Sequence, residues 1–564
     1  MTDAPLQLSI RDLTVTVEEK TGARTLLDRV SLDLAKGEVL GLVGESGSGK
    51  SLFCRALVGL LPSQSLRLAQ GTVLLDGEDI AKASPEALQA IRGARIGMIF
   101  QNPTSHLDPV MRIGDQIVEG VAFHQGLNRM EAKAAALEIM RQVGFTDPPR
   151  QFGNYAHEFS GGMRQRAMIA IALACNPEIL IADEPTTALD VTIQAQILDL
   201  LLDLRKTRGL SIILITHDLG VVAQTCDRIA VMRHGRLIEI GEKRTILKNP
   251  REDYTRTLIA SHPSMPAETA PAAALTQEPS TIKLRPLVEI DDLHVRFPVG
   301  GGLLSRRKTF SAVGGVSLQI LPGETVGIVG ESGSGKSTLA RAMLGLTPLS
   351  DGHVTFDGHS LSLKRAETLK ALRSQAAMVF QDPYNSLNPR LTIGETLSEV
   401  LRVQKKVPDA AIPARVEALL DLVELDRSFA GRKPRSLSGG QCQRAGIARA
   451  LAVEPRLIVA DECIAALDVT IQAQIVALLR KLVSTMDLTL VFIAHDLAVV
   501  RALCQRVVVM HHGRIVEEGP SETVFANPRE AYTAALIAAI PDFDPDRPLS
   551  GRSLPLPPLK GQPA

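Results

Sequence analysis

The 564-residue chain has no excess of either charge, no long apolar run, no leader of basic and apolar residues, and no closely paired cysteines. Each absence removes a class of function. Lys plus Arg and Asp plus Glu number 62 each, so the charge balance does not point to nucleic acid. The apolar stretches are short and end at charges, as in SIILITHD (211–218), and none reaches the roughly 20 residues that span a bilayer. The start, MTDAPLQLSIRD, has neither a basic region nor an apolar core, so no export signal is read and a cytoplasmic protein is expected. The six cysteines, at 54, 175, 226, 442, 463 and 504, form no CxxC pair, which points to reduced, mostly buried thiols rather than disulfides or metal ligands.

What is present is an internal repeat. The length exceeds one core, and 45% hydrophobic with 22% charged residues is the composition of a globular protein. ESGSGKS stands at 45–51 and again at 331–337; DVTIQAQI stands at 190–197 and again at 468–475. The offset is 278 residues between Asp190 and Asp468 and also between Cys226 and Cys504, and 286 between Gly44 and Gly330. A period this long means duplicated domains rather than a solenoid. The expected layout is a first domain over 1–262, a Pro/Ala-rich linker over 263–286, a second domain over 287–545 and a Pro-rich tail over 546–564.

Each half alternates β-like apolar runs with helical patterns, which suggests a largely parallel α/β sheet. VLGLVG (39–44), EILIAD (178–183) and SIILIT (211–216) read as buried strands, and TVGIVG (325–330), RLIVAD (456–461) and TLVFIA (489–494) are their partners. Between Gln101 and Ser160 the pattern turns helical (RMEAKAAALEIMRQVG), suggesting a helical insert.

The chemistry sits at strand ends. GESGSGKS at 44–51 and at 330–337 fits G-x-x-x-x-G-K-[ST], and each copy follows an apolar strand and precedes a helical run. Gly44, Ser46, Gly47 and Gly49, with Gly330, Ser332, Gly333 and Gly335, let successive N–H groups wrap phosphates. Lys50 and Lys336 bring charge to the β/γ-phosphates, Ser51 and Ser337 are candidate Mg²⁺ ligands, and Thr338 follows in the second helix. Asp183 and Asp461 end apolar strands and suit the Mg²⁺ shell; Glu184 and Glu462 are placed to orient or deprotonate a water. His217 and His495 lie beyond another strand and are candidate γ-phosphate contacts. Gln101 and Gln381 follow β-like runs, from which a glutamine can reach Mg²⁺ and the water. FSGGMRQR (159–166) and LSGGQCQR (437–444) put Ser160-Gly161-Gly162 and Ser438-Gly439-Gly440 at a helix start, where free N–H groups attract anions.

The order of P-loop, Gln, SGG string, Asp-Glu, Ala-Leu-Asp and His resembles the ABC-type ATPases in both halves, along nearly their full length. The resemblance implies two P-loop NTPase domains, each a RecA-like α/β core with a helical subdomain, that bind ATP and Mg²⁺ and pair head to tail. Ser160-Gly161-Gly162 would then cap nucleotide on the Lys336 loop, and Ser438-Gly439-Gly440 nucleotide on the Lys50 loop, with Asp190 and Asp468 in the crossing loops. QNPTSHLDP (101–109), QDPYNSLNP (381–389), YTRTLIAS (254–261) and YTAALIAAIP (532–541) are similar to the dipeptide/oligopeptide/nickel importer branch, in a fused form. That implies two integral-membrane permease subunits, a separate solute-binding protein, no nucleic acid, and a peripheral position on the cytoplasmic face of the inner (cell) membrane.

Three departures bear on the sites. Phe297 fits the aromatic that stacks on adenine, and Val17 stands at its place in the first half; weaker ATP binding there is expected. Cys463 replaces the proline after Asp-Glu, and a more relaxed backbone is expected. RKPRSLSGG (432–440) differs from the usual lead-in. Two rivals are a tandem ATPase acting on ribosomes and a chromosome or repair ATPase. The first calls for a charged helical linker and the second for a coiled coil or zinc insertion, and neither feature is read here.

Overall fold

Uninterrupted apolar runs become strands covered on both faces. In a computed structural model, which describes residues 5–20, 22–187, 189–261, 285–299, 308–361, 366–465, 467–494 and 496–547, Val39–Val43, Ile179–Asp183 and Ser211–Ile215 are buried at every position. So are Thr325–Val329, Leu457–Asp461 and Thr489–Ile493. That is the pattern of parallel strands with helices on either side. The chain forms two compact units, one built on residues 5–261 and one on 285–540. The linker falls almost wholly outside the described residues, as does the tail beyond residue 547.

In the first unit a six-stranded sheet runs Arg236–Glu242, Arg228–Arg233, Val39–Val43, Ser211–Ile215, Ile179–Asp183, Ile96–Ile99. All neighbours are parallel except the hairpin of the first two. The second unit repeats this order with Arg514–Pro520, Arg506–His511, Thr325–Val329, Thr489–Ile493, Leu457–Asp461 and Ala376–Val379. In both, the strand that feeds the glycine loop lies inside the sheet, and the strand that ends in Asp-Glu lies two places away. The loops at the carboxyl ends of parallel strands therefore gather along one edge, where ligands bind in such sheets.

A second sheet in each unit is antiparallel. Gly22–Ala35, Leu6–Glu19, Leu66–Leu75 and Glu78–Asp79 form it in the first unit. Leu8, Ile10, Leu13 and Val15 turn to the core while exposed residues such as Arg11 intervene, the alternation of a half-buried sheet. The largely parallel sheet expected from the sequence is therefore joined by an antiparallel layer that the apolar runs do not mark out. The helical insert is present as Ile113–Gln125 and Arg129–Gln142, packed against the helix Gly161–Leu173. Ile113, Ile117 and Val121 line one face at a spacing of four and are buried. Asn128 and Glu131 close a capping box at the start of the second insert helix.

Candidate nucleotide site

The loop at 44–51 can turn as it does because of Gly44. Its φ is +151°, and an added Cβ would lie 2.2 Å from the Met232 carbonyl oxygen. Gly330 repeats this, at φ +146° and 2.1 Å from the Met510 carbonyl. Only glycine meets both demands. The loop ends at Gly49, φ +101°, which caps the helix Lys50–Leu57, and Gly335 does the same before Lys336–Met343. Ser46 and Gly47, like Ser332 and Gly333, are exposed and leave the loop open to a ligand.

Lys50 is 6% exposed, and its Nζ donates to the carbonyls of Gly44 (2.8 Å) and Glu45 (2.9 Å) and to Ser48 Oγ (3.3 Å). Lys336 donates to Gly330 and Glu331 carbonyls, both at 2.8 Å. Burial pulls the Lys50 ammonium below its usual range, against the charges of Glu184 and Asp183. Ser51 Oγ donates to Asp183 Oδ1 at 2.9 Å and Ser337 Oγ to Asp461 Oδ1 at 2.8 Å. Asp183 is fully buried, its carboxyl raised by burial, and its Oδ2 has no hydrogen-bond partner. A buried, unpartnered carboxylate oxygen beside a hydroxyl is a hard-oxygen set that fits Mg²⁺.

The glutamates after these aspartates sit in left-handed backbone, Glu184 at φ +48° and Glu462 at φ +46°. The same left-handed turn precedes Pro185 in the first unit and Cys463 in the second. Gln101 Nε2 donates to Glu184 at 2.8 Å, and Gln381 Nε2 to Glu462 at 2.7 Å. Glu184 also accepts from the Thr187 hydroxyl at 2.8 Å and lies 3.6 Å from His217 Nδ1. Thr187 is a site residue that motif spacing does not single out. Its signal is the mismatch DEPTTALD against DECIAALD, which puts Ala465 at its place in the second half. Glu462 thus lacks a hydroxyl partner that Glu184 has. His495 lies outside the described residues.

Burial opposes ionisation of Glu184, but His217, Thr187 and Gln101 more than offset it and hold the carboxyl at about 2, below the ordinary 4.5. His217 is in turn raised above 6.5, because Glu184 outweighs the cost of burial. Ionised Glu184 favours the fold above pH 4.5, a gain lost as pH falls towards 2. Protonated His217 favours it below pH 6.5, a gain lost as pH rises through its raised value. Both gains are whole between 4.5 and 6.5. Replacing His217 by Ala is therefore expected to lower the melting temperature most in that window and progressively less above it. A difference that stayed constant from about pH 5 to about pH 9 would contradict the ion pair.

Ser160 caps Gly161–Leu173, its Oγ accepting from the Met163 N–H at 3.4 Å. Ser438 caps Gly439–Leu451 through a full capping box with Gln441. A Cβ on Gly162 would meet Ile193 at 2.8 Å and one on Gly440 would meet Ile471 at 2.5 Å, so close packing requires the second glycine of each pair. Both serines are exposed, and Asp190 stands at the N-cap of Val191–Arg208. Phe297 is 41% exposed and pairs across the sheet with Phe310, 53% exposed. In the first unit the corresponding pair is Val17 and Arg24, which offers no aromatic face.

The loop geometry, the buried lysine and the Ser–Asp and Gln–Glu bonds define two P-loop nucleotide-binding units. The ABC transporter family model matches residues 27–187 and 313–465, and the model described as the oligopeptide/dipeptide transporter C-terminal region matches 238–285 and 516–560. The peptidoglycan transport ATP-binding protein of Agrobacterium fabrum is 44% identical over 94% of this chain and 96% of its own. The glutathione import ATP-binding protein of Salmonella typhimurium is 41% identical over 96% of this chain and 90% of its own. A solved dimeric ATP-binding cassette bound to ADP and Pi is 33% identical over 42% of this chain and 98% of that one, with a TM-score of 0.38. The chain belongs to the ABC transporter family, and it is an ATPase carrying two cassettes.

Proposed function

We propose that this chain is the ATP-hydrolysing energy subunit of an importer for peptides or peptide-like compounds. The observation that carries the reading is the oligopeptide/dipeptide C-terminal region, present after both cassettes. The names of the relatives, peptidoglycan transport and glutathione import, agree with a peptide-like solute. Among the described residues no helix is long and apolar enough to cross a membrane. Two permease subunits and a separate solute-binding protein complete the proposal, with this chain peripheral on the cytoplasmic face of the cell membrane.

Within each unit the side chains divide the work. Lys50 stays on the Gly44 carbonyl and turns its other two donors from Glu45 and Ser48 to phosphate oxygens, and the loop N–H groups take the rest. ATP, when bound, supplies the phosphoanhydride, and Mg²⁺ would be held by Ser51, Asp183 and Gln101, or by Ser337, Asp461 and Gln381. Glu184 is ionised and aimed by Gln101, Thr187 and His217, so it can orient a water and take its proton. Protonated His217 offers a donor to the departing phosphoryl group. Glu462, which accepts from Gln381, stands at the same place in the second unit, and His495 is proposed as the corresponding donor. Ser160-Gly161-Gly162 with Asp190, and Ser438-Gly439-Gly440 with Asp468, are proposed as further nucleotide contacts, each at the exposed start of a helix or in the loop before one. Phe297 stacks on the base in the second unit only, so the two sites hold ATP unequally.

Purification of the tagged chain from gently solubilised membranes is expected to recover two polytopic membrane proteins. A deletion strain is expected to lose uptake of short peptides. Recovery of ribosomes in place of the membrane proteins would overturn the transport reading.

A further inference from the structure

Tyrosine is scarce in this chain, with four in 564 residues. Two of them, Tyr254 and Tyr532, stand 278 residues apart, at equivalent places in the helices Asp253–Ala260 and Ala531–Ala538. Both are buried. The Tyr254 hydroxyl oxygen accepts the backbone N–H of Glu45 at 3.1 Å, and that of Tyr532 accepts the N–H of Glu331 at 3.0 Å. That N–H belongs to the same peptide group as the Gly44 or Gly330 carbonyl, which receives the P-loop lysine at 2.8 Å. A phenol and an ammonium thus hold opposite ends of one peptide group. The preceding glycine has no side chain to restrain that peptide, so its plane depends on what grips it.

The rings are themselves fixed. The Arg233 guanidinium lies over Tyr254, 4.6 Å from the ring centre, and the His511 ring stacks on Tyr532 at 3.9 Å. Arg233 and His511 end equivalent strands, and the turn after each donates to the P-loop: Gly235 N–H to the Ser48 carbonyl and Gly513 N–H to the Ser334 carbonyl, each at 2.9 Å. Both tyrosines lie in the stretches matched by the oligopeptide/dipeptide C-terminal region, whereas the ABC transporter match ends at 187 and 465.

We infer that Tyr254 and Tyr532 are positioning residues that set Lys50 and Lys336 for the phosphates, so that the C-terminal region after each cassette is part of its nucleotide site. The inference rests on the reading of these loops as ATP sites. Phenylalanine keeps the ring and its stacking and removes only the acceptor oxygen. In the full chain carrying Tyr254→Phe and Tyr532→Phe, the Kd for MgATP and the KM are expected to rise about three- to tenfold, the range of one hydrogen bond. The kcat at saturating ATP is expected to stay as in the parent chain, and the melting temperature without nucleotide to fall by no more than the loss of one hydrogen bond in each unit produces. Added to a Lys50→Ala, Lys336→Ala chain, the two phenylalanines are expected to weaken residual MgATP binding no further, because the tyrosines act through the lysines. An unchanged Kd would overturn the inference. So would an equal rise in Kd when the phenylalanines are added to the Lys50→Ala, Lys336→Ala chain, since the tyrosines would then act by packing and not through the lysines. If instead the lysine variants bind MgATP as the parent does, the ATP-site reading itself fails.

Discussion

The double replacement Glu184→Gln and Glu462→Gln is expected to cut ATP turnover of the assembled complex by about 100-fold or more, the usual worth of a general base, while MgATP still binds. Glutamine keeps the shape of the side chain, so Gln101, Gln381 and Thr187 retain a neighbour of the same size. What is lost is the carboxylate, which in Glu184 is held at about 2 and so is ionised throughout the physiological range. Turnover close to the parent value would show that these glutamates are not the groups that handle the water. The single variants separate the two sites. Glu184 is held by Gln101, Thr187 and His217; Glu462 is held by Gln381, with Ala465 in place of the threonine. Thus Glu184→Gln and Glu462→Gln are expected to differ in residual activity. Equal residual rates would mean that the missing hydroxyl and the Val17 for Phe297 exchange have no functional weight.

Lys50→Ala with Lys336→Ala is expected to weaken MgATP binding by about 100-fold or more. A hydrogen bond to a charged group is worth about 1.5–3 kcal/mol, and each lysine reaches at least two phosphate oxygens in the proposed site; about 1.4 kcal/mol is a tenfold change. Equilibrium binding of MgATP to the full chain measures this directly. The fold itself should tolerate the change. The Lys50 ammonium is held below its usual range by burial, so its charge is a cost to the unliganded protein at neutral pH rather than a source of stability. A melting temperature without nucleotide well below the parent's would mean that the lysines are structural ties between Gly44 and Glu45 rather than phosphate ligands.

Much of each site is legible in the order of residues alone. A P-loop is a local object: glycines at set spacing, an apolar strand before them and a helix after, all within about 20 residues. The strands are equally legible, because buried parallel strands are runs of Val, Ile and Leu. The antiparallel layer is harder to read, since the bulges in Leu6–Glu19 break its alternation at Ile10/Leu13 and Leu13/Val15. Duplication supplies a second signal, as it turns weak strings such as FSGGMRQR into positions matched in the other half.

Residue type and near spacing suffice for the two P-loops, the order of the parts and the unequal pairs Val17/Phe297 and Pro185/Cys463. Which distant groups meet is a matter of tertiary structure. Gln101 reaches Glu184 across 83 residues because Ile96–Ile99 and Ile179–Asp183 are neighbours in the sheet. Tyr254 reaches Glu45 across 209 residues from a helix beyond the last strand of its unit. Such meetings depend on sheet order and on how a later helix packs back over the strand ends. Neither quantity is carried by hydrophobic periodicity, which records only which face of an element is buried.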